Sequence, residues 1–298
     1  MAELGFYAAK IMAYGDAFYL IQVNDHNRHV GEIVKALNAS SAGIAAALCH
    51  DLGKIGNLEK AIAIRKPRTP QDYIDAYADW IIKRANMDKN LKGPDRKQFV
   101  LAMLCKGAWK ERYVAVQDVL SRLNLDNNLQ EIIGLSVSPF PRHADGIPER
   151  VLGHSVRDEH FPQAGCPPEL ADYAFELIRI HHSFRVDRIV DAASTLEARL
   201  PGVSGAQFVR DLHTLISADN LVSSLYEKAL SATSATFSFG DPDKERFLLH
   251  DLLGTAQVDW LYSSDGVRRC RMHLEWQSLN GSEATVVFDV AYYVVEAR

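Results

Sequence analysis

The stretch AAALCHDLGK, residues 45–54, decides how the rest of the sequence is interpreted. Its first half is continuously apolar and predicts a buried helix. Its second half places His50 and Asp51 directly after that helix. A histidine and a carboxylate are costly to bury unless a cation or hydrogen bonds compensate them. The stretch therefore predicts a buried polar centre at the end of a helix.

Other ionisable residues lie on the apolar sides of further predicted helices. His29 lies on the apolar side of a predicted helix over 26–38, and Asp219 on the apolar stripe of one over 205–230. An adjacent histidine pair ends a third apolar helix. Imidazoles and carboxylates together suit one or two divalent transition metal ions, such as Mn, Fe, Co, Ni or Zn. The candidate ligands from this pattern are His29, His50, Asp51, His181, His182 and Asp219.

The order of these residues resembles the HD phosphohydrolase superfamily, whose members carry a His, a His-Asp pair, further histidines and an Asp. His29, His50, Asp51 and Asp219 match that order, and the resemblance covers about 25–225. It implies a helical bundle in which these residues ligate metal. It also implies hydrolysis of a phosphoester, because two such ions can clamp a phosphodiester and activate a water.

The HDLGK segment is similar to one found in CRISPR-associated HD nucleases and in cyclic-dinucleotide phosphodiesterases. In those proteins the lysine, here Lys54, holds a substrate phosphate or orients the attacking water. The closest resemblance is to the stand-alone HD nuclease of type I CRISPR interference. It implies cleavage of single-stranded DNA, with Asp51 and Lys54 as catalytic residues.

One intermediate ligand is ambiguous between two motifs. PRHADG, 141–146, resembles the Arg-His that precedes the histidine pair in the CRISPR nucleases, and it offers His143. GHSVRDEH, 153–160, offers His154 or His160 instead. We favour His143 as the seventh metal ligand. His26 is expected to cap its helix or to face solvent.

The predicted fold class is mainly α, an HD-domain helical bundle with a small C-terminal antiparallel β appendage. The helical hydrolase domain spans 1–232, and 60–135 within it forms an insertion or lid. The appendage spans 233–298, where runs rich in β-branched and aromatic residues indicate strands. Those runs are 235–240, 257–262, 268–276 and 284–295.

Composition limits the function further. The net charge of −5 argues against binding nucleic acid by bulk electrostatics, although a local basic groove remains compatible with it. Four widely spaced cysteines predict reduced thiols and a cytoplasmic protein, and no apolar run is long enough to predict a membrane span. No phosphate-binding loop of helicase type is present, so a helicase or other CRISPR effector subunits would be separate partners.

Three functions stay open at this point. The first is the metal-dependent nuclease. The second is an HD phosphohydrolase acting on nucleotides or cyclic nucleotides, which the acidic net charge favours. The third is a non-catalytic HD scaffold that docks through its β appendage, and the intact HDLGK and Asp219 argue against it.

Overall fold

The structure is a computed structural model of the chain. It describes residues 9–55, 69–105, 109–125, 128–137, 147, 149–183, 185–232, 235–239, 252–261, 266–278 and 283–297.

A six-stranded antiparallel sheet dominates one side of the molecule, and its strand order is β1-β2-β8-β7-β6-β5. The sheet curls into a half-barrel. A separate two-stranded hairpin is formed by β3 and β4. The strands are β1 Ala9–Tyr14, β2 Ala17–Gln22, β3 Arg150–Val151, β4 His154–Ser155, β5 Thr236–Phe239, β6 Leu252–Leu261, β7 Val267–Ser278 and β8 Glu283–Glu296.

The prediction of a helical bundle with a small β appendage is wrong. Strands β1 and β2 come from the first residues described, and β2 pairs with β8 near the other end of the chain. The sheet therefore joins the segments that the sequence divides at residue 232. The sequence does not predict the N-terminal strands, because the central residues of β2 are all buried and show no alternation of apolar and polar residues.

The turn between β1 and β2 does carry a local signal. Tyr14 pairs with Ala17, which leaves Gly15 and Asp16 as a two-residue hairpin loop. Gly15 adopts a φ of 58°, a conformation that glycine reaches without steric cost and that two-residue hairpin loops require at this position.

Helices fill the rest of the described chain. Their bounds are α1 Val23–Ala36, α2 Ser41–Cys49, α3 Pro70–Arg84, α4 Gly93–Leu104, α5 Trp109–Arg122, α6 Leu129–Val137, α7 Phe161–Gln163, α8 Ala171–Ile180, α9 Val186–Arg199 and α10 Gly205–Ser231. A π-helical turn, Val156–His160, precedes α7, and a 3-10 turn, Pro168–Leu170, precedes α8.

Polar caps fix where two of these helices begin. The Ser40 hydroxyl accepts a hydrogen bond from the Gly43 N–H, which satisfies one of the free donors at the start of α2. The carboxylate of Asp211 on α10 accepts hydrogen bonds from the Ser40 N–H and hydroxyl. Thr69 and Asp72 form a reciprocal capping box at the start of α3. The cap at Ser40 therefore connects α2 to the long helix α10 through Asp211. Helix α2 is the one that ends at the HDLGK stretch.

The core lies between the sheet and the helices. The central helices α1 and α10 pack against the sheet, and α2 packs against α1 and α8. Within the predicted insertion over 60–135, the described part is helical, with α3 contacting β8 and α4 contacting β1. Among the residues described, no helix combines the length and the apolar character needed to cross a bilayer.

Candidate metal centre

Four helices bring ionisable side chains to one buried point. His26 comes from α1, and the adjacent His50 and Asp51 follow the last residue of α2. The pair after α8 adds His181, which is buried, and His182, which is exposed. The long helix α10 supplies Asp219 from its centre.

Two of the imidazoles are held in the same way by the ends of their helices. The Nδ1 atom of His50 lies 2.7 Å from the carbonyl oxygen of Ala47, and that of His181 lies 2.6 Å from the carbonyl of Ile178. A carbonyl oxygen can only accept, so each Nδ1 donates its proton and each Nε2 is the acceptor nitrogen of its ring. This second bond orients the ring as it does for metal-binding histidines generally.

The ligand atoms lie close to one another around Asp219. Its Oδ1 is 2.9 Å from the His26 Nε2 and 3.9 Å from the His50 Nε2. The Asp51 Oδ2 lies 3.7 Å and 3.8 Å from the same two imidazole nitrogens. The Nε2 of His50 is buried and has no hydrogen-bond partner among the residues that the structure describes. A buried acceptor without a donor is the arrangement expected where a cation binds.

This buried cluster could hold a metal ion. Among the residues that the structure describes, three overlapping groups each place their ligand atoms within 4.8 Å of one another. They are His26 with His50 and Asp219, His50 with Asp51 and His181, and His181 with His182 and Asp219. Because the groups share members, they fit either one ion or two neighbouring ions.

The protonation states in the centre suit a cation. Burial, with a smaller effect from the charge of Lys10, lowers the pKa of His26 to about 3. Burial and the neighbouring imidazoles hold the pKa of His181 well below its usual value. Burial opposes ionisation of Asp219, but Lys10 and the His26 hydrogen bond outweigh it and keep that pKa well below the usual range. Near neutral pH these imidazoles are neutral and Asp219 is charged.

Two lysines flank the centre. The Lys54 ammonium lies 2.5 Å from the Asp51 Oδ2, and its side chain is 23% exposed. Lys10 on β1 also contacts the centre, where its ammonium is 3.5 Å from the Asp219 Oδ1 and its side chain is 13% exposed. Both lysine side chains are partly exposed, unlike the buried imidazoles of His26, His50 and His181, and we call the surface around them the mouth of the centre.

The structure brings together five of the seven metal ligands proposed from the sequence, namely His50, Asp51, His181, His182 and Asp219. His143 lies outside the described residues. Its alternative, His154, is exposed on β4, where its Nδ1 contacts the Glu159 carboxylate at 2.8 Å.

His29 lies outside the cluster and serves the packing of α1 on the sheet. Its Nδ1 lies 2.6 Å from the Tyr226 hydroxyl, its Nε2 lies 3.0 Å from the Asp289 carbonyl, and its ring stacks on Phe288. The expectation that His26 caps the helix or faces solvent is wrong, because His26 is fully buried and takes the place predicted for His29. His26 lies four residues before Val30 and seven before Ile33, and this helical spacing was the available signal.

Comparisons of this chain with protein-family models, with curated proteins and with solved structures find no match. The resemblance to HD phosphohydrolases therefore rests on the order of residues in the sequence.

Proposed function

We propose that this protein is a metal-dependent phosphoester hydrolase with an HD-type centre that binds one or two divalent transition metal ions. The observation that carries the proposal is the buried Nε2 of His50, which faces two carboxylates and has no donor among the described residues. Imidazole and carboxylate ligands of this kind suit Mn, Fe, Co, Ni or Zn.

The side chains of the centre have separable roles in such a reaction. His26, His50, Asp51, His181, His182 and Asp219 would hold the metal. A divalent ion bound there supplies an activated water and neutralises charge on the phosphate oxygens. Lys54 contacts Asp51 at the mouth, so its ammonium is placed to orient that carboxylate and to bind an anionic substrate.

The charge of the centre favours an anionic substrate. Two carboxylates, Asp51 and Asp219, are matched by two ammonium groups, Lys10 and Lys54, while the imidazoles of His26 and His181 are neutral. A divalent ion would therefore leave the centre with a net positive charge. Single-stranded DNA is the substrate that we propose first, because a flexible strand can reach a partly open mouth. A helicase would then be a separate partner.

A nucleotide or cyclic nucleotide is the second candidate substrate. The net charge of −5 disfavours long contacts with a polyanion, whereas a small phosphoester needs only the charge at the mouth.

A substrate panel tests the proposal. The purified chain, loaded with Mn²⁺ or Ni²⁺, is incubated with single-stranded DNA, RNA, mononucleotides and cyclic nucleotides, and products are resolved by chromatography. We expect cleavage of single-stranded DNA that stops when a chelator removes the metal. Cleavage of the small substrates alone would favour the nucleotide as substrate over single-stranded DNA. If none of the substrates is hydrolysed, the proposed hydrolase is contradicted.

Paired histidine variants test which residue ligates. We expect His26→Gln to lose bound Mn²⁺ and hydrolysis, because it removes a ligand that lies 2.9 Å from Asp219. His29→Gln on the same helix is the matched control and should keep its metal, although it loses packing contacts with the sheet. Metal content is measured on folded protein by plasma emission. If His29→Gln loses its metal and His26→Gln keeps it, His29 is a ligand and His26 is not.

A further inference from the structure

Lys10 is the only residue of the β1–β2 hairpin that the described hydrogen bonds and ion pairs place in the candidate centre. It lies on β1, which forms the edge of the sheet. Its side chain reaches α1 and α10, where the ammonium contacts the His26 Nε2 at 3.5 Å and the Asp219 Oδ1 at 3.5 Å. It also donates a hydrogen bond to the Ser223 hydroxyl, one turn after Asp219. The fold therefore uses a strand from outside the helical cluster to add a cation to it.

The contacts of Lys10 coincide with atoms that would ligate metal. His26 and Asp219 belong, with His50, to one of the three groups that could hold an ion. An ammonium and a divalent cation repel each other, so an ion bound at this carboxylate would weaken the Lys10–Asp219 contact, which is already long at 3.5 Å. Lys10 is then the cation of the centre that can move away from Asp219. Its four-carbon side chain can turn toward the mouth, where it is already 13% exposed.

We propose that Lys10 is a substrate-phosphate ligand, which exchanges the Asp219 carboxylate for a non-bridging phosphate oxygen once metal occupies the centre. This inference rests on the proposed function and adds a residue to it. Lys10 and Lys54 then hold the substrate from beside the two carboxylates of the centre, Asp219 and Asp51. The hydrogen bond that Lys10 donates to the Ser223 hydroxyl does not involve the carboxylate, so it is compatible with this exchange.

Two binding measurements on Lys10→Gln test the proposal, with the metal alone and with inorganic phosphate as the probes. Calorimetric titration with Mn²⁺ should show affinity about fivefold or more above that of the wild-type protein, because a like charge has been removed beside the ion. Titration of the Mn²⁺-loaded protein with phosphate should show affinity about tenfold or more below wild type, because a charge-assisted hydrogen bond is lost. Opposite changes in the two affinities are the signature of this role.

Two further variants serve as controls. Lys10→Arg keeps the charge and should keep phosphate affinity within about threefold of wild type. Lys35→Gln removes a lysine from the exposed side of α1 and should change neither affinity. Unchanged phosphate affinity in Lys10→Gln would overturn the proposal and reduce Lys10 to a partner of the metal-free carboxylate. Weaker Mn²⁺ binding would overturn it as well, because it would make Lys10 a support of the ligand geometry.

The same titrations separate this inference from the proposed hydrolase. A wild-type protein that binds Mn²⁺ and phosphate but cleaves no substrate contradicts the hydrolase, while the phosphate affinity of Lys10→Gln still decides the role of Lys10. A wild-type protein that binds no Mn²⁺ contradicts both.

Discussion

Two imidazoles of the centre are positioned by hydrogen bonds from the ring nitrogen that points away from it. His50 and His181 each follow the last residue of a helix, and each returns its Nδ1 to the carbonyl three residues earlier. The carbonyls at a helix end lack partners within the helix, so this bond satisfies a carbonyl and orients an imidazole together. A histidine placed directly after an apolar helix is therefore well suited to point its Nε2 into a core.

The buried imidazoles should make the metal-free protein sensitive to acid. Burial lowers the pKa of both His26 and His29 to about 3, whereas the unfolded chain titrates near 6.5. The unfolded state thus takes up protons first, so stability is fully present above pH 6.5 and is lost as the pH falls toward 3. We expect the free energy of unfolding to drop by about 2 kcal/mol for each of these imidazoles between pH 7 and pH 5.

Urea denaturation of the chelator-treated protein at the two pH values measures this drop. His29→Gln should show a smaller pH dependence, because one of the buried imidazoles is gone. His154→Gln should show the same dependence as wild type, because His154 is exposed. Equal stability of the wild-type protein at pH 7 and pH 5 would contradict the buried, neutral state of these histidines.

At the same scale, the sequence predicted that a buried cluster of histidines and aspartates exists better than it predicted which residues belong to it. His50, Asp51 and Asp219 stand out because a carboxylate or imidazole within an apolar run has few structural explanations. The sequence chose His29 over His26 wrongly, because both are buried on one helix and only the structure shows that His29 packs on the sheet. The sequence could not predict Lys10 as part of the centre. The contacts of Lys10 depend on where the β1–β2 hairpin joins the sheet, and no pattern near residue 10 indicates that position.

Among the elements, β6 depends on a close approach that only glycine permits. A side-chain carbon added at Gly254 would lie 2.3 Å from the Glu275 carbonyl oxygen and 2.5 Å from the ring of Phe239. The carbonyl is backbone within the β6–β7 ladder and cannot move aside cheaply. We expect Gly254→Ala to destabilise the protein by about 1–3 kcal/mol, measured by urea denaturation.

Gly134 on α6 provides the matched control for that substitution. Apart from its chain neighbours and the backbone of its own helix, no atom of the described residues lies within 4 Å of the position that its added carbon would take. Gly134→Ala should be neutral or stabilising by up to about 1 kcal/mol, because alanine favours a helix over glycine. Similar losses in both variants would mean that the effect does not come from crowding within the sheet.

Element type was predictable where β-branched and aromatic residues are dense, and the prediction failed in the N-terminal hairpin. The run over 284–295 predicts a strand from these residues, and in β8 the buried residues Phe288, Val290 and Tyr292 alternate with less buried ones. In β2 the four central residues are all buried, because the sheet is covered there on both sides. Such a run is compatible with a helix or a strand, so the sequence left the N-terminal hairpin in the helical domain.

For the whole molecule, the shared sheet predicts cooperative unfolding. Strands from both sides of residue 232 form one ladder, and α1 and α10 pack directly on it. We expect a single transition in differential scanning calorimetry, with equal calorimetric and van't Hoff enthalpies. The helical circular dichroism signal of Gly254→Ala should also shift to a lower midpoint, together with the sheet. Two separate transitions would contradict this coupling and favour independent domains.

The pairing of β2 with β8 also has a consequence during synthesis on the ribosome. Residues 17–20 pair with residues 293–296, so the hairpin leaves the exit tunnel on the order of ten seconds or more before its partner strand. Until then one edge of β2 has unpaired backbone N–H and C=O groups, and such an edge can pair wrongly with other nascent chains. The helices that carry the candidate metal ligands, from α1 to α10, are all synthesised within that interval. The hairpin that carries Lys10 therefore completes its pairing in the sheet only after residues 293–296 are synthesised.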